Sequence, residues 1–261
     1  QGVGPGAARK IIAMPFVHLR THTEYSVVDG TLRIDEAVAA AAKDRQVALA
    51  ITDLSNLFGA VKFYKACRSA GVKPLIGADV WLEPEGSDRQ PTRLLLLVQD
   101  RTGYLNLCEL LTRCWQGPPS QSQPWTTWAA LRELNGGLIA LSGADLGAVG
   151  QALLARDTLR ARQLAMRFSD LFPNRFYLEI QRAGLPGLDL GEDVVEVVQR
   201  LDGRRQRVGR DVAGGGGQHR DRRTGAPSQR HDALPHLGVI AAYRSASQHQ
   251  RTGDGADIGA A

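Results

Sequence analysis

Between residues 16 and 181 short apolar runs alternate with longer amphipathic stretches, and this alternation constrains the fold more than any other feature of the chain. The runs 16–22, 48–53 (ALAITD), 75–82 (LIGADVWL), 93–99 (RLLLLVQ), 138–142 (LIALS) and 175–181 (RFYLEIQ) have the length of strands. Most are apolar on both alternating faces, as in a sheet covered on both sides. The stretches 34–45, 57–70, 103–115, 126–134 and 146–171 read as helices. In the second, Leu57, Val61, Tyr64 and Ala66 are expected to face the core, with Gly71 as the stop. Asp145 is the expected cap of the last. Strand–helix alternation of this kind predicts an α/β domain, either a barrel or a doubly wound sheet.

The pattern stops near residue 200. Residues 1–199 carry 21 basic and 21 acidic side chains, whereas 200–261 carry 11 arginines against 6 aspartates, so the whole net charge of +5 lies in the last segment. That segment also holds 11 of the 29 glycines and four of the six histidines. The basic balance therefore says little about a nucleic-acid surface on the ordered part. The expected organisation is a non-native or disordered leader over 1–13 with a natural start at Met14, a domain over 14–199, and an Arg/Gly-rich tail over 200–261. The tail is either a flexible basic arm that touches nucleic acid or the product of a shifted reading frame in a GC-rich gene. A chain of 261 residues can bury a real core, and its composition excludes a collagen-like, disulfide-stapled or wholly disordered protein. Cys67, Cys108 and Cys114 show no zinc spacing, no apolar run is long enough to cross a membrane, and no signal peptide is evident. A cytoplasmic location is expected.

Candidate chemistry clusters at strand ends, where α/β folds place their sites. The first run carries His18, Arg20 and His22, spaced to share a face, and leads into Glu24, Ser26 and Asp29. The second ends in Thr52-Asp53-Leu54-Ser55-Asn56, the third carries Asp79 and the sixth Glu179. Imidazole with several carboxylates suits a hard metal or hydrolysis; the alternative is a set of strand-end caps and ion pairs. Trp115, Trp125 and Trp128 flank the linker 116–124 and read as packing. The three cysteines read as buried small hydrophobes, and Arg156, Arg160, Arg162 and Arg167 as a solvated face.

Three segments, FVHLRTHTEYSVVDG (16–30), ALAITDLSNLFGAVKFY (48–64) and AGVKPLIGAD (70–79), closely resemble the PHP domain that begins bacterial replicative DNA polymerase III alpha subunits, C-family polymerases. The likeness continues through 102–107, 138–143 and 177–184 and spans about residues 14–190. It implies a distorted (β/α)7 barrel of TIM-like kind, here incomplete at its C-terminal end, with a trinuclear metal site in metal-competent members. The HxH motif of such members matches Arg20 and His22, and their Thr-Asp-His motif matches Thr52-Asp53-Leu54. A third-strand glutamate matches Asp79 and a fourth-strand histidine Arg93. The cysteine after Ser-Gly matches Ala144, and a histidine before glycine matches Ala183. The last motif should fall beyond residue 200 and is absent.

With His22, Asp29, Asp53 and Asp79 left, and only His22, Asp53 and Asp79 as weak metal candidates, the resemblance implies no metal cluster and no catalytic residue. The Arg20 guanidinium is expected to stand in for a metal, paired with Asp53 or Asp79. The same degenerate pattern implies a silent module that docks a proofreading exonuclease subunit, among other replicase subunits. DNA contact belongs to the parent polymerase and there is no membrane role. No cofactor is implied for this stretch, Mg²⁺ being that of the parent polymerase. No palm-type aspartate pair stands in the matched region, and Asp254 and Asp257 of the tail carry little weight. The alternatives are a metal-dependent PHP phosphoesterase or 3′–5′ exonuclease, and a fragment that binds nucleic acid through its basic tail.

Overall fold

The computed structural model describes residues 16–84, 90–118, 123–181 and 238–242. Met14, the 1–13 leader, Ala183, Asp254, Asp257 and most of the tail lie outside the described residues.

In chain order the elements are α1 (Ile34–Lys43), β1 (Ala48–Ile51), α2 (Ala60–Ala70), β2 (Lys73–Leu82), β3 (Thr92–Val98), α3 (Arg101–Trp115), β4 (Trp125–Thr126), α4 (Trp128–Leu134), β5 (Leu138–Leu141), α5 (Ala148–Leu154), α6 (Thr158–Leu171), β6 (Phe176–Gln181) and β7 (Gly238–Ala242). The strands form one sheet in the order β1-β2-β3-β5-β6-β7, with the two-residue β4 beside β2. Neighbours are parallel except that β3 runs antiparallel to both β2 and β5. The link from β2 to β3 is too short for a helical crossover, so the chain turns back on itself. The result is a mixed, distorted barrel sheet that no ladder closes from β7 to β1 among the described residues.

Side-chain alternation splits this sheet into two faces. Ala78, Val80, Leu82, Leu94, Leu96, Leu138, Ala140, Phe176 and Leu178 point outward into the main core under α3 to α6. The other set points to the concave side. Its floor is Ala50, Leu95, Leu97 and Leu141, with Leu19, Leu75, Ile139 and Tyr177 packed against them. A second core joins α1, α2 and β1.

Several expectations are corrected. Residues 16–22 form no continuous strand; they lie along β1 through a single bridge, His18 to Leu49, and two backbone bonds, Ala50 N–H to His18 and Thr52 N–H to Thr21. In α2 the buried face is Ala60, Phe63 and Cys67, while Val61 and Tyr64 are exposed. The helix turns the bulk of Phe63 and the small Cys67 onto α1 and β1. Gly71 does stop it, at φ 72°. The expected helix over 146–171 is two. Arg156, at φ 60°, ends the first, and the Asp157 side chain accepts the Arg160 N–H to start the second. Asp157, not Asp145, is the cap; Asp145 sits in a 3₁₀ turn, Ala144–Leu146. Likewise Thr127 caps α4, so Trp125 and Thr126 belong to a strand.

Strand β7 falls inside the 200–261 segment and pairs with β6 from Tyr177–Gly238 to Gln181–Ala242. Its GVIAA run is short and apolar, and it meets the free hydrogen-bonding edge of β6.

Candidate functional site

The curl of the sheet brings together residues that lie far apart along it. Arg20, beside β1, reaches Glu179 on β6 with two parallel bonds, Nε to Oε1 and Nη2 to Oε2, both 2.8 Å. Its Nη1 donates to Asp79 Oδ2 on β2. The same Asp79 oxygen meets His22 Nε2 at 3.2 Å and Arg93 Nη1 at 3.1 Å. His22 Nδ1 lies 3.0 Å from Asp29 Oδ1, and Arg93 Nη2 lies 3.4 Å from Asp29 Oδ2. Two guanidiniums and an imidazole thus interlace with three carboxylates. Asp79 and Glu179 are fully buried at the side chain, while Asp29 forms the exposed lip.

The alternation that builds the concave face places these groups. Asp79, Trp81, Arg93 and Glu179 continue the rows whose lower members form the apolar floor, and they sit toward the C-terminal ends of β2 and β6. Trp81, opposite Arg93 in the β2–β3 register, takes the guanidinium over its ring at 4.0 Å. The Glu179 amide donates to Ser142 Oγ, 2.9 Å away, which ties β6 to the end of β5. Gly143 follows at φ 81°, where any Cβ would run into the Arg93 carbonyl.

Asp53 takes a different part. Its carboxylate accepts the Thr23 amide at 2.6 Å, the Thr23 hydroxyl at 2.8 Å and the Ser26 hydroxyl at 2.9 Å. The expectation that Arg20 pairs with Asp53 or Asp79 resolves to Asp79, and Glu179 takes two of the three guanidinium bonds. His18 does not join the cluster, although it was expected to share the face of Arg20 and His22. It packs edge-on against Phe16, and burial lowers its basicity against the opposing charge of Asp44. Leu54 lies at the β1 end with its amide on Ser26 Oγ, and Ala144 is buried in the 3₁₀ turn after β5. The roles of Thr23, Ser26, Trp81 and Ser142 were missed. For Trp81 a signal existed: it lies two residues past Asp79 and therefore on the same face.

Electrostatics favours the charged forms of Asp79 and Arg20. Burial alone would raise the Asp79 carboxyl, but the Arg20 charge, the His22 hydrogen bond and the Arg93 charge outweigh it and hold the group below its ordinary value. Arg20 is held above its ordinary value by Asp79 and Glu179 against the opposing effect of burial. A carboxyl depressed in the folded state stabilises the fold above the unfolded value, near 3.9, and that contribution fades as pH falls through the lower folded value. Urea midpoints are therefore expected to hold down to about pH 5 and to fall from about pH 4 downward. The acid slope should be shallower in Asp79→Asn; an equal slope in both proteins would contradict the depression.

The donor set does not fit a metal cluster. Leu54 and Ala144 offer no ligand atom, and guanidiniums hold both oxygens of Glu179 and one of Asp79. No group of three or more His, Cys, Asp or Glu side chains is arranged to hold an ion among the described residues. One buried oxygen, Asp79 Oδ1, has no partner, and a single oxygen is not a coordination shell.

The remaining side chains are mostly structural. Burial pushes the Cys67 and Cys114 thiols up to about 11, away from thiolate chemistry. The Trp115 indole donates to the Ser55 carbonyl, and Trp128 packs on Phe168. Arg167 is not simply solvated, since its guanidinium lies 3.6 Å from the Trp128 ring centre. No described helix is long and apolar enough to cross a membrane.

Residues 18–183 match the family model of the PHP domain. Over 171 residues the chain is 42% identical to DNA polymerase III subunit alpha of Pseudomonas aeruginosa and 40% identical to that of Escherichia coli K12. Each alignment covers 66% of this chain and 15% of the relative, so the chain spans about 15% of the length of these curated relatives. Among solved structures, a proposed metal-dependent phosphoesterase from Bifidobacterium adolescentis aligns with TM-score 0.47 and 12% identity, covering 71% of this chain and 84% of that one.

Proposed function

Because this chain belongs to the PHP domain family, we propose that it serves as the N-terminal module of a bacterial replicative polymerase alpha subunit, silent in catalysis. Its task in that setting is to scaffold the proofreading exonuclease subunit and so join it to the other replicase subunits in the cytoplasm. Contact with DNA, and the Mg²⁺ of nucleotide transfer, belong to the polymerase proper. The match of about 40% identity to the start of alpha subunits supports the context.

The observation that carries the silence is the guanidinium pair. Arg20 and Arg93 bring fixed positive charge to the carboxylates that a metal cluster would need. Arginine does not give up its proton to become a ligand, and a hydrolytic metal needs an open position for water as well as its protein donors.

The test has two arms. Purified protein dialysed against Zn²⁺ or Mn²⁺ is expected to retain far less than one metal per chain and to leave a phosphomonoester and a 3′-recessed DNA duplex uncleaved. The bacterial proofreading exonuclease subunit is expected to co-elute with it in size-exclusion chromatography. Stoichiometric metal with hydrolysis would replace this reading with a PHP phosphoesterase. Failure to co-elute would remove the scaffold role.

A further inference from the structure

The turn over the charged cluster is held in a rare conformation. The Val28 amide donates to the Ser26 carbonyl at 2.6 Å, two residues back, and Val27 between them sits at φ 61°, ψ −50°. This is the positive-φ form of the γ-turn, which is rare and strained. A β-branched residue in its centre is the least suited to it. The two valines gain nothing by burial, being 81% and 85% exposed.

What holds the turn is visible on both sides. Upstream, Ser26 Oγ donates to Asp53 and accepts the Leu54 amide at 3.1 Å, while Thr23 is bound twice to the same carboxylate. Downstream, Asp29 is clasped by His22 Nδ1 and by Arg93 Nη2. Gly30 then passes so close to the Thr23 carbonyl that a Cβ would collide with it. The upstream anchor is buried, whereas the Asp29 carboxylate is part-exposed at 29%.

We propose that residues 26–29 form a strained latch over the mouth of the concave face, anchored by Asp53 and kept shut by the Asp29 clasp. Strain of this kind persists only while its surroundings over-determine it. Once Asp29 is released, Val27 relaxes to negative φ, the Val28–Ser26 bond breaks, and His22 and Arg93 lose their cover. This inference does not depend on the functional reading above.

Amide hydrogen exchange of residues 26–30 in the full 261-residue chain tests it. Asp29→Ala is expected to speed exchange there by roughly tenfold while the sheet amides keep their protection. Adding Val27→Gly removes the strain, since glycine accepts positive φ freely, and is expected to bring exchange back toward the parent. Val27→Gly alone should raise the melting temperature. Asp29→Asn serves as the milder release should the alanine variant fold poorly. Equal exchange in parent and Asp29 variants, or the same acceleration with and without Val27→Gly, would overturn the latch. So would a melting temperature lowered by Val27→Gly, as expected for an unstrained exposed valine.

Discussion

Replacing Arg20 by alanine is expected to lower the stability of the fold by about 3–5 kcal/mol, the range for breaking one side of a buried ion pair. Arg20 is the only group that joins Asp79 on β2 to Glu179 on β6 among the described residues. Without it the Glu179 carboxylate, fully buried, loses both of its side-chain donors. The loss is worse than removing a surface pair, because the stranded carboxylate is buried and keeps no side-chain donor. In a domain of this size it should appear as a fall in melting temperature on the order of 10 °C. Arg20→Lys is expected to recover only part of the loss. One ammonium cannot reproduce the two parallel bonds to Glu179 and also reach Asp79. An Arg20→Ala protein that melts with its parent would mean that the cluster is decorative and that the concave face is closed by packing alone.

Replacing Asp53 by alanine is expected to cost about 3 kcal/mol or more, through three lost bonds to one buried carboxylate. The Thr23 amide would be left buried with no acceptor in a turn that has few alternatives. Asp53→Asn should be far milder, near 1 kcal/mol, because the amide oxygen still accepts from the backbone and the hydroxyls can rotate. Urea denaturation of both variants measures this contrast. It separates a structural aspartate from a metal ligand. If metal were the reason for Asp53, the two variants would differ little in metal-free buffer. Near-equal midpoints for the parent and Asp53→Ala would count against the structural role.

The two arginines show how far the cluster was legible. From spacing, Arg20 and His22 share a face, and both do reach Asp79. The family resemblance then implied Arg93 as a position where positive charge replaces a ligand. What the residues did not reveal was which carboxylate each cation would take. Arg20 leaves Asp53, whose carboxylate accepts from Thr23 and Ser26. It takes Glu179 instead, 159 residues away. Asp157 is a different kind of miss. A capping residue stood in the sequence, but the apolar pattern runs through it, and periodicity alone does not show a one-residue break in register. In α2 the helical spacing admitted two faces, and the volume of Phe63 chose between them.

The sequence alone determined the α/β class, the positions of most strands and helices, and the family. These follow from local periodicity and from ordered motifs, each read within a few residues. The resemblance further implied a broken metal-ligand pattern, since the leucine and alanine side chains at two matched positions carry no donor. Tertiary structure decided the rest: the strand at Gly238–Ala242, the partners of Arg20, and the strained turn at Val27. All of these depend on which edges and carboxylates remain unsatisfied once the sheet has curled. Hydrogen-bond groups buried by that curl must find partners wherever the fold brings them, and that choice is made in space and not along the chain.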